Sequence, residues 1–222
     1  MVGSKQPTPI FLSPKEAEAH CRAGASIWEF ASTENGLSPD VVLVGIGAEL
    51  TFEVVKAAGL LREIVPELRV RVVNVTDLMV LEIEGRHPHA LTNQDFDSLF
   101  TADRPIHFNY HGYATELKGL LFARPYTARM SIESYREEGS TTTPFDMMLL
   151  NHVSRYHVME YALRGGAKVN EKVRARLVPL VADLKHRIQK TRDYILENGK
   201  DPDETYEIGM IKGSGGGVLS EG

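Results

Sequence analysis

The sequence is poor in cysteine and has no long apolar run. Cys21 is the one cysteine among 222 residues, which excludes an internal disulfide and a zinc site built from cysteines. No apolar stretch approaches the roughly 18–20 residues of a membrane span, and the N-terminus lacks the apolar core of a signal peptide. We therefore expect a protein of a reducing compartment, the cytoplasm, with no membrane partner.

The motifs of several enzyme classes are also missing. The chain has no GxSxG elbow, no P-loop, no HExxH zinc motif and no aspartate–glycine motif for a metal-bound diphosphate. Its net charge of −5 gives no indication of a nucleic-acid partner. The apolar fraction of 42% and the charged fraction of 25% are those of an ordinary globular domain.

Short β-rich runs alternate with helical patterns over the first 135 residues. The run "VVLVGIG" (41–47) is apolar throughout, as in a strand buried on both faces, and further strands are predicted within 69–78, 106–113 and 128–135. Amphipathic segments between these strands predict helices. Strands that alternate with helices form parallel sheets covered on both faces. We predict a three-layer α/β domain with a mostly parallel sheet and extra C-terminal helices.

Helices are also predicted before and after this unit. A helix over 13–32 would place Cys21 on its core face, as inert packing. Later in the chain we expect helices over 144–163 and 171–198, and Pro179 would kink or divide the second of them.

The chain is predicted to form one domain over residues 1–200, with a linker-like entry segment over 1–12. Residues 201–222 show no periodicity and end in a glycine-rich stretch. We expect this tail to be poorly ordered.

The stretch "GSTTTPFDM" (139–147) has two interpretations. Thr143 before Pro144, with Asp146 three residues after the threonine, is the pattern of a capped helix start. The alternative is an anion site at that helix terminus, where Asp146 already places a negative charge. No base is adjacent in sequence, so an activated serine is not indicated. Three hydroxyl residues are left unexplained by capping and could line a pocket or a polar interface: Ser140, Thr141 and Thr142.

Two other motifs are incomplete. "GIGAEL" (45–50) stands where a dinucleotide-binding loop would lie, but Leu50 replaces the third glycine, and we interpret it as a tight strand-to-helix turn. "HPH" (87–89), with Glu84 nearby, could bind a metal ion. We expect these loop histidines to be solvated instead.

His111 and Tyr113 stand at the carboxyl end of a predicted strand, in the segment "HFNYHGY" (107–113). Open α/β sheets bind their ligands at this edge. We therefore take His111 and Tyr113 as candidates for a pocket or an interface. The other histidines and bases of the second half are expected on solvated helix faces: His152, Arg155, His157, Lys185 and His186.

Three stretches together resemble a known enzyme family. They are "GSKQP" (3–7), "HPHALTNQDFDSLFTADRPIHFNYHGY" (87–113) and "GSTTTPFDMMLLN" (139–151). They resemble the C-terminal part of xylulose-5-phosphate/fructose-6-phosphate phosphoketolases, over about residues 2–200, and are closer to fungal than to bacterial members. The resemblance implies a transketolase-like α/β domain that follows two cofactor-binding domains.

The resemblance also implies a reaction. Family members depend on thiamine diphosphate with Mg²⁺ and cleave a ketose phosphate with inorganic phosphate, giving acetyl phosphate, an aldose phosphate and water. Because the cofactor-binding portions are absent from this sequence, we expect a severed C-terminal domain. It would be inactive alone, with no catalytic residue, cofactor or metal of its own. Its partners would be the preceding domains of the same polypeptide, within a homodimer.

Lys5 is the residue to which the resemblance gives a site role. The family's lysine in this motif looks like a ligand of the substrate phosphate, and a compact ammonium suits that role. Gly3 and Pro7 bracket Lys5 with residues of unusual or rigid backbone. A solvated lysine in a linker is the alternative. Two other functions stay open for the chain: a regulatory or dimer-interface module that binds an effector, and an independent small-molecule enzyme.

Overall fold

The computed structural model of the chain describes residues 9–137, 139 and 141–207, so Lys5 and Ser140 lie outside the described residues. The strands of this part are β1 (Ala25–Ile27), β2 (Val41–Ile46), β3 (Val70–Val75), β4 (Ile106–Tyr110) and β5 (Met130–Ser134). Its α-helices are α1 (Pro14–Ala23), α2 (Ala48–Ile64), α3 (Asn93–Phe100), α4 (Ala114–Leu121), α5 (Pro144–Leu150), α6 (Arg155–Gly166) and α7 (Glu171–Asn198).

The strands form one sheet in the order β1-β3-β2-β4-β5. β2 pairs in parallel with β3 and with β4, and β4 pairs in parallel with β5. In this register Val44 of the central strand β2 lies opposite both Val73 and Phe108. All six residues of β2 are buried, as its continuous apolar run predicts. The mostly parallel α/β sheet is confirmed, whereas the short antiparallel edge strand β1 was not predicted.

Helices cover both faces of the sheet. Successive strand residues point to opposite faces, and β2 shows the consequence: Val41 and Leu43 pack with α2, α6 and α7, whereas Val42 and Val44 pack with α3 and α4. A third, smaller cluster joins α5 to Leu50 of α2 and to the end of α7. The three-layer architecture with extra C-terminal helices is therefore confirmed.

The first helix is shorter than the predicted span of 13–32. α1 ends at Ala23 because Gly24 adopts a φ of 73°, and the Gly24 amide closes the helix on the carbonyl of His20 at 3.0 Å. The chain then enters β1. The residues after Ala23 that helped to define the predicted core face are therefore not helical. Cys21 is exposed, and the prediction that it lies on the core face was wrong. His20 takes the buried position of α1 instead.

In the second half of the chain, one predicted helix is interrupted in the structure. The predicted helix 144–163 is divided into α5 and α6 by residues 151–154, where His152 has a φ of 60°. α7 continues through Pro179 over 28 residues, so the proline does not divide it. Within the described residues no helix combines the length and apolarity needed to cross a bilayer.

Residues 201–207, which we expected to be poorly ordered, pack against the domain. The carboxylate of Asp201 accepts a hydrogen bond from the backbone amide of Phe145 at 3.1 Å. The guanidinium of Arg155 donates to the carbonyl of Thr205 at 2.8 Å. This segment therefore closes over the start of α5 and α6.

Candidate functional site

The carboxyl ends of the parallel strands meet at one edge of the sheet, and the loops there are bonded to each other. The amide of His111, just after β4, donates to the carbonyl of Ile46 at the end of β2 at 3.0 Å. The amide of Tyr135, just after β5, donates to the carbonyl of Tyr110 at 2.9 Å. The ends of three strands that are neighbours in the sheet, β2, β4 and β5, are thus held together, and His111 lies in the middle of them.

The glycines of the 45–50 turn allow close approach of protein atoms. Gly47 has a φ of 93°, and a Cβ atom there would lie 2.6 Å from the Cβ of His111. A Cβ atom on Gly45 would lie 2.8 Å from the Cα of Thr51 in α2. Both positions need glycine so that β2 can turn into α2 beside the β4 loop. The strand-to-helix interpretation is confirmed.

His111 belongs to a group of three polar side chains at this edge. Its Nδ1 lies 3.2 Å from Oε2 of Glu49, and its ring meets that of Tyr135 edge-on at 5.1 Å. The His111 side chain is 42% exposed and that of Glu49 is 26% exposed. When Glu49 accepts the Nδ1 hydrogen, the ring is fixed with Nε2 as its remaining polar atom. Burial, with smaller effects of Glu137 and Glu49, raises the pKa of Tyr135.

Tyr113 lies two residues further on and has a different environment. It precedes the first residue of α4 and is 64% exposed. Beside it, the hydroxyl of Tyr110 donates to Glu116 at 3.0 Å. Burial, followed by this carboxylate, raises the pKa of Tyr110. The role of Tyr113 in a pocket or interface stays a prediction.

The hydroxyl-rich stretch begins α5, as the capping interpretation predicts. The Thr143 hydroxyl accepts from the amide of Asp146 at 3.3 Å. The Asp146 carboxylate accepts from the Thr142 hydroxyl at 2.8 Å and pairs with Nε of Arg192 at 3.2 Å. Asp146 thus binds Thr142 and Arg192 rather than the backbone of the cap. Thr141 is exposed, and among the described residues no hydrogen bond joins either threonine to the His111 group.

The "HPH" loop is bound to a neighbouring carboxylate. Nδ1 of His89 lies 2.6 Å from Oδ2 of Asp77, and Nδ1 of His87 accepts from the amide of His89 at 3.1 Å. In the described part of the chain no three histidine, cysteine, aspartate or glutamate side chains are grouped so that they could hold a metal ion. Glu84 therefore does not complete a ligand set there.

The prediction of a solvated face was wrong for Arg155. Its guanidinium is buried and lies 2.6 Å from Oε1 of Glu53 in α2. It also lies over the ring of Phe145, 4.8 Å from the ring centroid. The partners are 102 residues apart in sequence. No local pattern indicates such a pair.

Known proteins resemble the chain over nearly its whole length. The family model described as XFP C-terminal domain matches residues 5–210. A "Probable phosphoketolase" of Schizosaccharomyces pombe is 54% identical over 96% of the chain, and one of Brucella abortus is 41% identical over 92%. The chain spans about a quarter of the length of each relative. Among solved structures, the "Split gene transketolase, inactive beta4 tetramer" is 13% identical with a TM-score of 0.43, over 64% of the chain and 42% of that protein.

Proposed function

We propose, from the premise that this chain belongs to the XFP C-terminal domain family, that it is the C-terminal domain of a longer phosphoketolase. The observation that supports this is the combination of 54% identity across 96% of the chain with coverage of only 25% of the relative. In the proposal, the whole polypeptide cleaves xylulose 5-phosphate or fructose 6-phosphate with inorganic phosphate. The products are acetyl phosphate, an aldose phosphate and water.

The described residues do not fit thiamine diphosphate or its Mg²⁺. At the glycine turn, the space that a diphosphate would need next to Gly45 and Gly47 is taken by Thr51 and His111. The described part also has no grouped set of acidic or imidazole ligands for a metal ion. We derive no step through this cofactor, and we propose that the preceding domains of the longer polypeptide bind it.

The chain's own contribution is positioning, in this proposal. Lys5 places its ammonium against the phosphate of the sugar or against inorganic phosphate. His111, held by Glu49 at 3.2 Å, presents its second nitrogen at the edge of the sheet to a ligand or to a neighbouring domain. Four further residues keep the role of pocket or interface: Tyr113, Ser140, Thr141 and Thr142.

A second candidate function is a regulatory or dimer-interface module that binds an effector. Large exposed aromatic side chains favour an interface: Phe122 is 87%, Tyr126 is 72% and Tyr113 is 64% exposed. Tyr113 and Phe122 flank α4, and Tyr126 lies five residues after its end. In this function the surface of α4 contacts the rest of the polypeptide or the second subunit of a cytoplasmic homodimer.

A domain exchange tests the proposal. The chain replaces the C-terminal quarter of the Schizosaccharomyces pombe relative, and acetyl phosphate is measured with ketose phosphate, phosphate, thiamine diphosphate and Mg²⁺. We expect the hybrid to form acetyl phosphate, and both the chain alone and the relative without its last quarter to form none. Acetyl phosphate from the chain alone would show that it is an independent enzyme. A folded hybrid that assembles without activity would favour the module function.

A further inference from the structure

A cavity of about 140 Å³ lies at the opposite edge of the sheet from His111, where β2, β4 and β5 begin. A single water needs only about 10–15 Å³ of such space, so the cavity has room for a small polyatomic ligand. The polar side chains on its wall are His107, Arg129, Ser131, Tyr161, Arg164 and Lys168.

The wall of the cavity is positively charged. Three basic side chains line it, and no aspartate or glutamate does. Arg164 is neutralised by Glu160, 2.6 Å away. Within the part of the chain that the structure describes, neither Arg129 nor Lys168 makes an ion pair. Two positive charges without an ion-pair partner therefore border the cavity, and they favour an anionic ligand. Asp97 and Asp103 act on Arg129 only from beyond ion-pair distance.

Two buried nitrogens on this wall have no hydrogen-bond partner. They are Nε2 of His107, a residue only 1% exposed, and Nε of Arg129. Buried polar atoms are normally paired, since an unpaired one has lost its water without replacement. Both nitrogens can be N–H donors that lack an acceptor, and both belong to residues that line the cavity.

Helix capping explains part of this cluster. The guanidinium of Arg129 donates to the carbonyls of Phe100 and Arg104, and Arg164 lies in the last turn of α6. Basic side chains at such positions counter the negative ends of helix dipoles. Capping gives no partner to Nε of Arg129 or to Nε2 of His107, so it does not account for the cavity.

The hydrogen bond at Nδ1 of His107 determines whether the unpaired Nε2 is a donor or an acceptor. Its Nδ1 lies 3.0 Å from the Ser131 hydroxyl, whose one hydrogen can go either to Nδ1 or to the carbonyl of Ile106 at 3.3 Å. When Ser131 donates to Nδ1, the ring hydrogen is on Nε2, and His107 becomes an N–H donor. Burial lowers the pKa of His107 to about 3, so the ring is neutral near pH 7.

We propose that this cavity binds a small phosphate-type oxyanion, attracted by the charges of Arg129 and Lys168 and bonded by Nε2–H of His107. Guanidinium and ammonium groups are the usual protein ligands of phosphate oxygens. The ring of Tyr161, stacked on that of His107 at 4.2 Å, keeps the imidazole in place beside the cavity. The ligand is either free inorganic phosphate or the phosphate group of a small ester.

The test is a titration of the ¹⁵N-histidine-labelled chain at pH 7 with inorganic phosphate, at an ionic strength held constant with sodium chloride. We expect a saturable change in the imidazole ¹⁵N resonances of His107, towards the Nε2–H tautomer. Lys168→Gln changes an exposed residue, so the fold should persist while affinity falls roughly tenfold, the value of one charge-assisted hydrogen bond. Lys185→Gln, on the exposed side of α7, is the matched control and should bind as the unchanged chain does.

A second titration uses glycerol phosphate. If glycerol phosphate and inorganic phosphate bind with equal affinity, the cavity accepts phosphate esters as well as the free ion. If only inorganic phosphate binds, the cavity is specific for the free ion. The proposal is overturned if His107 does not respond, if sodium chloride alone produces the response, or if Lys185→Gln weakens binding as much as Lys168→Gln. Binding that disappears in Lys5→Ala would assign the phosphate to Lys5 and would also overturn it. Unchanged binding in that variant keeps this site separate from the proposed function.

Discussion

Glu53 accepts three hydrogen bonds from Arg155, one from the backbone amide at 2.6 Å and two from the guanidinium at 3.0 and 2.6 Å. This pair joins α2 to the first residue of α6 in the interior of the domain. Removal of one partner leaves a buried charge without compensation. We predict that Glu53→Ala lowers the free energy of unfolding by about 3–5 kcal/mol, measured by urea denaturation. Glu63→Ala, an exposed position of the same helix, is the control and should change it by less than about 0.5 kcal/mol.

Loss of the helix cap of α5 should lower the unfolding free energy by less than loss of the Glu53–Arg155 pair. Thr143→Ala removes the acceptor of the Asp146 amide and should lower the unfolding free energy by about 0.5–2 kcal/mol. Thr141→Ala, at an exposed position beside the cap, should change it little. In the longer polypeptide we expect Thr143→Ala to leave the apparent affinity for phosphate nearly unchanged. Intact stability with a collapse of phosphate use would mean that the hydroxyl stretch is a ligand site and not only a cap.

Gly47 should be intolerant of any side chain. Its φ of 93° is strained for alanine, and the added Cβ atom would lie 2.6 Å from the Cβ of His111. We predict that Gly47→Ala lowers the unfolding free energy by more than about 1 kcal/mol and perturbs the NMR signals of His111. Gly59→Ala is the matched control, because Gly59 lies inside α2 with nothing within 4 Å of its added Cβ. That change should stabilise the domain by about 0.5–1 kcal/mol. Equal effects of the two substitutions would show that His111 is not held by this contact.

Acid should destabilise the domain through His157. Burial, and then the stacked ring of His152, lowers the pKa of His157 to about 4. Between the unfolded value near 6.5 and a folded value near 4, only the unfolded chain takes up the proton. Stability is therefore complete above pH 6.5 and falls as the pH drops towards 4, by up to about 1.4 kcal/mol per pH unit.

The measurement is the unfolding free energy of the chain and of His157→Gln between pH 7 and pH 4. The variant should lose less stability over this window. His107, whose pKa burial lowers to about 3, contributes in the same direction and accounts for a remaining slope. His186→Gln, at an exposed position of α7, should reproduce the profile of the unchanged chain. A profile of His157→Gln identical to that of the unchanged chain would rule out His157 as the source.

The sequence predicts the parts of this fold that local pattern determines. β2 is predicted because all six of its residues are buried in the centre of the sheet and are apolar or glycine. β1 could not be predicted because it has only three residues and forms by pairing with β3, where Ala25 lies opposite Val75, fifty residues later in the chain. Propensity carries no information about such a pairing.

In the candidate site, too, local pattern predicts some residues, whereas others are brought together only by the tertiary fold. His111 could be placed at the carboxyl edge because a strand–helix alternation fixes where strand ends meet. Its neighbours Glu49 and Tyr135 were not predicted, since they come from the turn after β2 and from the residue after β5. The wall of the opposite cavity gave no sequence pattern either. His107 lies in a predicted strand, and its unpaired Nε2 becomes apparent only when the strands are packed.

Lys5 carries the most direct prediction about function. A lysine that holds a substrate phosphate acts in binding, so its removal should raise the KM for the sugar phosphate or for inorganic phosphate more than it lowers kcat. In the hybrid enzyme we expect Lys5→Ala to raise KM by about tenfold or more, the loss of one charge-assisted hydrogen bond, without change in thermal unfolding. Lys5→Arg keeps the charge and should recover part of the loss, because a guanidinium also binds phosphate but with a different geometry. Lys185→Ala, an exposed lysine on α7, should leave both constants unchanged. Kinetics of Lys5→Ala equal to those of the hybrid would place Lys5 in a solvated linker and remove it from the site.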